Sequence, residues 1–346
     1  MDTLLTSFRT LCLEALLDLL WRQWCSLGVA GHSTPASTDR LIDPEALLLV
    51  TTSIGRHEPR LFDEALDWLA RYGSFMNIQR LKNLQRSTAL GEAQVLACVA
   101  DWLSTHSTQQ AWKSLARAEK ASLPVQPLFI GSAGPANRQP DPHFLAHGLE
   151  RDPFQPRGMS RAPNSTLPPN FVLSLRALIG VTARVEIILC LASGGAAHAA
   201  ELARITGYAP RTLQALLQDM SLSGHILSQE PATASGAKQR KGSNRRYHLQ
   251  PKDWHFLSQG RPLPKWTPWA ALFSLTRTVI DAIPGPEEKT RHPAVISSKL
   301  RAALATHGQA LAAAGMLPHL DLRPEATGEE LIETLATRLP ELLTRL

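Results

Sequence analysis

Ten prolines fall between residues 122 and 169. Proline fixes φ and carries no amide proton, so a stretch this dense excludes long helices and interior strands. Its aromatic residues come singly, as Phe129, Phe144 and Phe154, and Leu149 lies between the last two. The segment reads either as a flexible interdomain linker or as an extended strap held against a domain by those aromatics. Either way it divides the chain. With 346 residues, 44% hydrophobic and 19% charged, the composition is globular and long enough for two or three domains.

Before the break the periodicity is helical. Leu4, Phe8, Leu11, Ala15 and Leu19 lie on one stripe, within a helix expected over Leu4–Leu27. Residues 28–39 read as a loop. Asp43-Pro44-Glu45 is a helix start, with Asp43 as N-cap and Pro44 in the first turn. Further helices are expected near 60–72, from Asn77, near 92–104 and near 108–121. The helix from Asn77 turns Gln79, Arg80, Lys82, Asn83, Gln85 and Arg86 outward in this reading. That makes it a weak second candidate for contacting DNA, against a plain solvated face. After a second Pro-rich joint at 258–268, three more helices are expected: 269–283, 294–314 and 328–346, the last interrupted at Pro340.

Charge is uneven. The chain is +6 overall, and +5 of that lies between residues 170 and 260. The pattern in this quarter is also specific. Two helices, 172–179 and 184–192, are followed by a helix over 197–206 with Ala200, Leu202, Ala203 and Ile205 as buried candidates. Gly207 then supplies a left-handed turn, and Pro210 opens a new helix, 210–223. That helix buries Leu213, Leu216, Leu217 and Met220. It shows Arg211, Thr212, Gln214, Ala215 and Gln218 on its other face. Arg can grip guanine O6 and N7, Gln can pair with adenine, and Thr and Ala can touch the thymine methyl. After Gly224, residues 225–228 and 246–249 read as two strands of a hairpin, with Tyr247 and Leu249 on one face. Between Pro231 and Lys252 the chain has Lys238, Arg240, Lys241, Arg245 and Arg246 but no acid. Such a loop suits phosphate.

The order of these features resembles the winged helix-turn-helix transcriptional regulators of bacteria, such as the MarR-like and ArsR-like repressors. The resemblance is carried by Ala200-Glu201-Leu202-Ala203, Gly207, Arg211-Thr212-Leu213, Leu216-Leu217, Gly224 and Arg245-Arg246-Tyr247. It covers about residues 171–257, a quarter of the chain. It implies binding to double-stranded DNA, usually as a homodimer. Arg211, Thr212, Gln214, Ala215 and Gln218 would enter the major groove, and Lys238, Arg240, Lys241, Arg245 and Arg246 would hold phosphates.

The expected fold class is therefore mainly α. It comprises a helical N-terminal domain (1–121), a Pro-rich linker or strap (122–169), a winged helix-turn-helix with a small β-hairpin wing (170–257) and C-terminal helices (258–346). The expected function is that of a DNA-binding regulator, a repressor, dimerised through its N- or C-terminal helices. The alternative is a winged-helix protein-interaction module, an antitoxin-like partner or a scaffold for another protein.

Catalysis is not expected. The chain has no P-loop, no G-x-S-x-G, no H-E-x-x-H and no dinucleotide fingerprint. Glu287-Glu288 and Glu329-Glu330 sit where helices are expected to begin, a favourable place for acids. His143, His147, His198 and His225 are scattered in sequence. Cys12, Cys25, Cys98 and Cys190 form no C-x-x-C pair and no zinc-ligand spacing. No metal or cofactor is expected. Trp21, Trp24, Trp68, Trp102 and Trp112 fall on apolar helical faces and read as core. No apolar run is long enough to span a bilayer, and no signal peptide is evident, so a cytoplasmic location is expected.

Overall fold

The computed structural model describes residues 2–31, 37, 39–116, 124–131, 139–229, 245–250, 263–284, 291–321 and 328–346. The chain is mainly helical. In order, α1 is Asp2–Leu27, α2 Pro44–Ser53, α3 Pro59–Tyr72, α4 Ile78–Thr88, α5 Ala93–His106 and α6 Lys113–Ala116. Then come β1 Gln126–Pro127, α7 Pro142–Leu145, β2 Leu149–Glu150, α8 Phe171–Ile179, α9 Ala183–Gly194 and β3 Ala197–His198. They are followed by α10 Ala199–Thr206, α11 Pro210–Leu222, β4 Ile226–Gln229, β5 Arg246–Leu249, α12 Trp269–Ala282, α13 Pro293–Ala313 and α14 Gly328–Arg345.

The chain divides into two compact units. The first holds Met1–Ser37, Ile42–Asn164 and Pro268–Leu346. The second holds Thr38–Leu41 and Ser165–Thr267. The C-terminal helices, read from the sequence as a segment of their own, thus share a unit with the N-terminal ones. Helix α14 lies along α1, and α12 packs on both α1 and α2. The Arg22 guanidinium donates to the Leu343 carbonyl at 3.1 Å. Periodicity shows that each helix has an apolar face but not which face it meets, so this pairing was not visible in advance.

In the first unit Asp43 caps α2, accepting from the Ala46 amide at 3.1 Å. It also meets Arg80, whose guanidinium bonds Asp43 at 2.5 and 2.6 Å and Glu45 at 2.6 Å. Arg80 is 1% exposed, so it does not sit on the outward polar face expected of α4. A second DNA-contacting helix there is left without its central cation. Trp24 and Trp68 meet edge to face with ring centres 5.7 Å apart. Each donates its indole proton, to the Thr51 hydroxyl and the Leu27 carbonyl respectively. Trp102 and Trp112 are also fully buried. Helix α14 runs unbroken through Pro340, where an interruption was expected. Leu335, Leu339, Leu342 and Leu343 are all buried, and their packing outweighs the one amide donor that proline removes.

Up to Asn164 the described part of the Pro-rich segment carries the short elements β1, α7 and β2, with β1 and β2 paired in parallel, and packs as a strap within the first unit. Helix α3 offers Asp63, Glu64, Asp67 and Arg71 to it. Arg151 makes a two-pronged bond to Asp63 at 2.7 and 3.1 Å, and Arg157 pairs with Glu64. Asp67 accepts from the amides of Gly158 and Ser160, while Arg71 donates to the carbonyls of the same two residues. The single aromatics converge. The Arg151 guanidinium lies 5.3 Å from each of the Phe129, Phe144 and Phe154 rings. The strap reaches back to Gly28, whose φ of +113° and a would-be Cβ only 2.2 Å from the Arg161 carbonyl leave room for no other residue.

Among the described residues the second unit has four α-helices, α8 to α11, and one antiparallel sheet ordered β3-β5-β4. Ala197 faces Tyr247, Ile226 faces Leu249 and Ser228 faces Tyr247. Val185, Ile187, Leu202, Leu213, Leu217, Ile226, Tyr247 and Leu249 fill its core. Leu41 joins them from far upstream. It is carried there by a parallel bridge in which the Leu41 amide donates to Lys265 and the Lys265 amide to Asp39. Strand β3 lies where the sequence was read as the first turn of a helix. Ala200, expected inside, is exposed, and Ile205 is half-buried.

Candidate nucleic-acid interface

Helix α10 ends at Gly207, which takes φ +79° and donates its amide to the Ala203 carbonyl. Only glycine enters that conformation without a Cβ penalty, so the chain turns sharply here. Tyr208 and Ala209 complete the turn, and Pro210 begins α11 with its φ already set for a helix.

The turn is held from beneath. Glu186 on α9 is fully buried and accepts from Arg176 on α8 at 2.6 and 3.2 Å. Its other carboxylate oxygen accepts from the Tyr208 hydroxyl at 3.1 Å. Arg176 is also fully buried. A buried carboxylate with both oxygens satisfied by a cation and a phenol avoids the cost of an uncompensated charge. Three elements are thereby fixed to one group.

On this base α11 turns Leu213, Leu217 and Met220 inward. Arg211, Thr212, Gln214, Ala215 and Gln218 are all exposed along the opposite face. Among the described residues nothing engages Arg211, Gln214 or Gln218 by hydrogen bond or ion pair. Leu216, expected in the core, is half-buried at its edge. The one acid of the helix, Asp219, lies 3.7 Å from Arg184 on α9.

Compared with known proteins, the chain matches no family model, no curated protein and no solved structure.

Of the basic loop residues, Lys238, Arg240 and Lys241 lie outside the described residues. Arg245 immediately precedes β5, and Arg246 is its first residue. Arg246 is exposed and gives one of its donors to the Ala196 carbonyl at 2.6 Å, bracing the entry to β3. The guanidinium has five donors, so others remain available. The Arg245 carbonyl lies 3.2 Å from His198 Nδ1.

Two further cations in this unit were not singled out in the sequence. Arg204 on α10 is exposed, and Arg184 starts α9 with its side chain 44% exposed. Both were visible as residues, but their outward direction depends on helix phase, which periodicity fixes only coarsely.

In the first unit His143 and His147, scattered in sequence, converge on Asp101. His143 Nδ1 lies 3.0 Å from its carboxylate and His147 Nε2 lies 3.9 Å away. This contact docks the short helix α7 on α5. Among the described residues no group of three or more His, Cys, Asp or Glu side chains could hold a metal ion. Also among them, no helix is long and apolar enough to cross a membrane.

Proposed function

We propose that the second unit is a winged helix-turn-helix that binds double-stranded DNA, with α11 in the major groove, and that the protein is a transcriptional regulator. The observation that carries this is the exposed face of α11. Five side chains able to read base edges project together from a helix whose other face is locked into a core. The three-stranded sheet beside it, with Arg246 exposed at its rim, supports the same reading. Arg204, exposed on the preceding helix, would supply a phosphate contact of the kind that sets register. Lys238, Arg240 and Lys241, which fall between β4 and β5 in sequence, would hold phosphates. A second copy of the chain is part of the proposal, because paired half-sites multiply affinity.

The test is a titration of the purified protein with random-sequence duplex at two salt concentrations. Salt-sensitive binding near or tighter than ~10⁻⁶ M supports the proposal. No detectable binding at low salt overturns it.

A second reading, a protein-interaction module, is favoured by two large apolar side chains of the same unit. Leu178 is 69% exposed and Leu222 is 89% exposed. Surfaces of that kind suit a protein partner better than a charged duplex. Co-purification of a defined partner, together with no duplex binding, would establish it.

A further inference from the structure

We infer that the duplex read by α11 is A·T-rich over about three base pairs and bounded by a G·C pair at the end met by Arg211. The inference rests on the DNA-binding reading above and names the class of sequence that site would accept.

The argument lies in which groups α11 exposes. Arg211 is the helix's one cation, and it stands in the first turn. Its forked donors match the paired acceptors N7 and O6 of guanine. Gln214 and Gln218 follow it, one helical turn apart. A carboxamide carries a donor and an acceptor side by side. In the major groove adenine presents that complement on a single base, as N7 and the N6 amino group. Guanine would place a second acceptor against the amide carbonyl. The Thr212 and Ala215 methyls, exposed beside the two glutamines, fit the C5 methyl of thymine.

The one group on this helix that would favour cytosine is the Asp219 carboxylate, which could accept from the N4 amino group. Arg184 from α9 stands 3.7 Å away and competes for it. One side chain therefore favours guanine and four favour adenine or thymine.

Spacing sets the length. Gln218 lies seven residues beyond Arg211. At ~1.5 Å per residue this is about 10 Å along the helix axis. Stacked bases repeat every ~3.4 Å along one strand, so the face spans about three steps.

The test is selection of duplexes by the full-length protein from a pool with a random 20-base-pair core, followed by chemical editing of the selected site. The expected consensus is an A·T-rich core with a G·C pair at one fixed edge of each half-site. Replacing the core thymines by deoxyuridine removes only the C5 methyl, and should weaken binding about fourfold for each methyl contacted. Replacing the core adenines by 7-deazaadenine removes N7, and should weaken binding about tenfold. Because the protein is unaltered in these edits, a folding defect cannot imitate the result. Tight, salt-sensitive retention of duplexes with a G·C-rich core overturns the inference alone, as does indifference to both edits. Retention of no duplex at any salt overturns the DNA-binding reading, and the inference with it.

Discussion

The Tyr208 hydroxyl donates to the Glu186 carboxylate across 3.1 Å, tying the turn before α11 to the buried first turn of α9. The contact joins local geometry to the proposed function. The angle at which α11 leaves the unit depends on a polar group with no water to replace it. Glu186→Gln would remove a carboxylate that buried Arg176 bonds twice. It should cost about 3–5 kcal/mol in the unfolding of this unit. Tyr208→Phe removes a single hydrogen bond to a charged group and should cost about 1.5–3 kcal/mol. Denaturant titration followed by circular dichroism measures both. A Glu186→Gln variant within 0.5 kcal/mol (roughly the effect of an ordinary surface substitution) would show that the carboxylate does not hold the turn.

Arg211→Ala should weaken binding to a selected operator by about 1–3 kcal/mol and relax the preference at one base pair. Binding to random duplex should change far less. Competition titrations with both duplexes separate the two effects, and equal losses on both would mean that Arg211 meets phosphate rather than a base.

Changing Lys238, Arg240 and Lys241 together to Ala should flatten the dependence of log K on log salt. Each phosphate contact contributes a slope of roughly 0.9, so the change approaches three if all three residues touch the backbone. An unaltered slope would remove this loop from the interface.

Asp67→Ala should release the strap. The amides of Gly158 and Ser160 both donate to that carboxylate, and the loss should cost about 1–3 kcal/mol for each amide left without a partner. Limited proteolysis between residues 152 and 164 should then run ahead of global unfolding. Cleavage at the wild-type rate would contradict the anchoring role of α3.

Stability should fall as pH drops below about 6.5. Burial, reinforced by Arg9 and Arg56, lowers the pKa of His57, while Asp281 opposes the shift in part. Burial also lowers that of His307. The unfolded chain therefore binds protons on these groups before the folded chain does. Their contribution is present above the ordinary histidine value and is lost as pH falls towards the lowered folded values. Asp63 has the opposite sign. Burial raises its pKa against the pull of Arg151, so it adds no acid lability above the ordinary carboxylate range. Denaturant midpoints at pH 7.5 and 5.5 should differ, and His57→Gln should narrow the gap. A gap unchanged in that variant would assign the acid lability elsewhere.

Thiol reactivity should be low. Burial pushes the Cys98 thiol up to about 12 and raises that of Cys12 as well. Cys190 is buried and Cys25 half-buried. An aromatic disulfide reagent at pH 8 should label the native protein at no more than one site and the unfolded protein at four. Rapid labelling of Cys12 or Cys98 in the native state would place those thiols at the surface.

Much of the second unit could be read from local chemistry. Gly207 and Pro210 are punctuation with a physical cause, and the alternation of Tyr247 and Leu249 marks a strand with one buried face. What escaped were relationships between distant residues. Strand β3 is two residues long, too short for any period to register. Leu41 enters the core of this unit through a pairing with Lys265, and no local pattern announces it. Arg80 sat at a position whose phase suggested solvent, yet Asp43 and Glu45 draw it inside. The candidate interface shows the same division. The face of α11 followed from helix phase and its buried leucines, whereas the outward direction of Arg184 and Arg204 required the neighbouring helices in place.

The first unit draws its helices from both sides of the second in sequence, and this orders events during synthesis. Every residue of the second unit has been made once Thr267 is joined. Helices α12 to α14, which complete the first unit, still lie ahead. At roughly 5–20 residues per second, the chain up to Leu346 needs several more seconds. The second unit can therefore form on the ribosome, while α1, already able to pack Trp24 on Trp68, still waits for α12 and α14 to arrive.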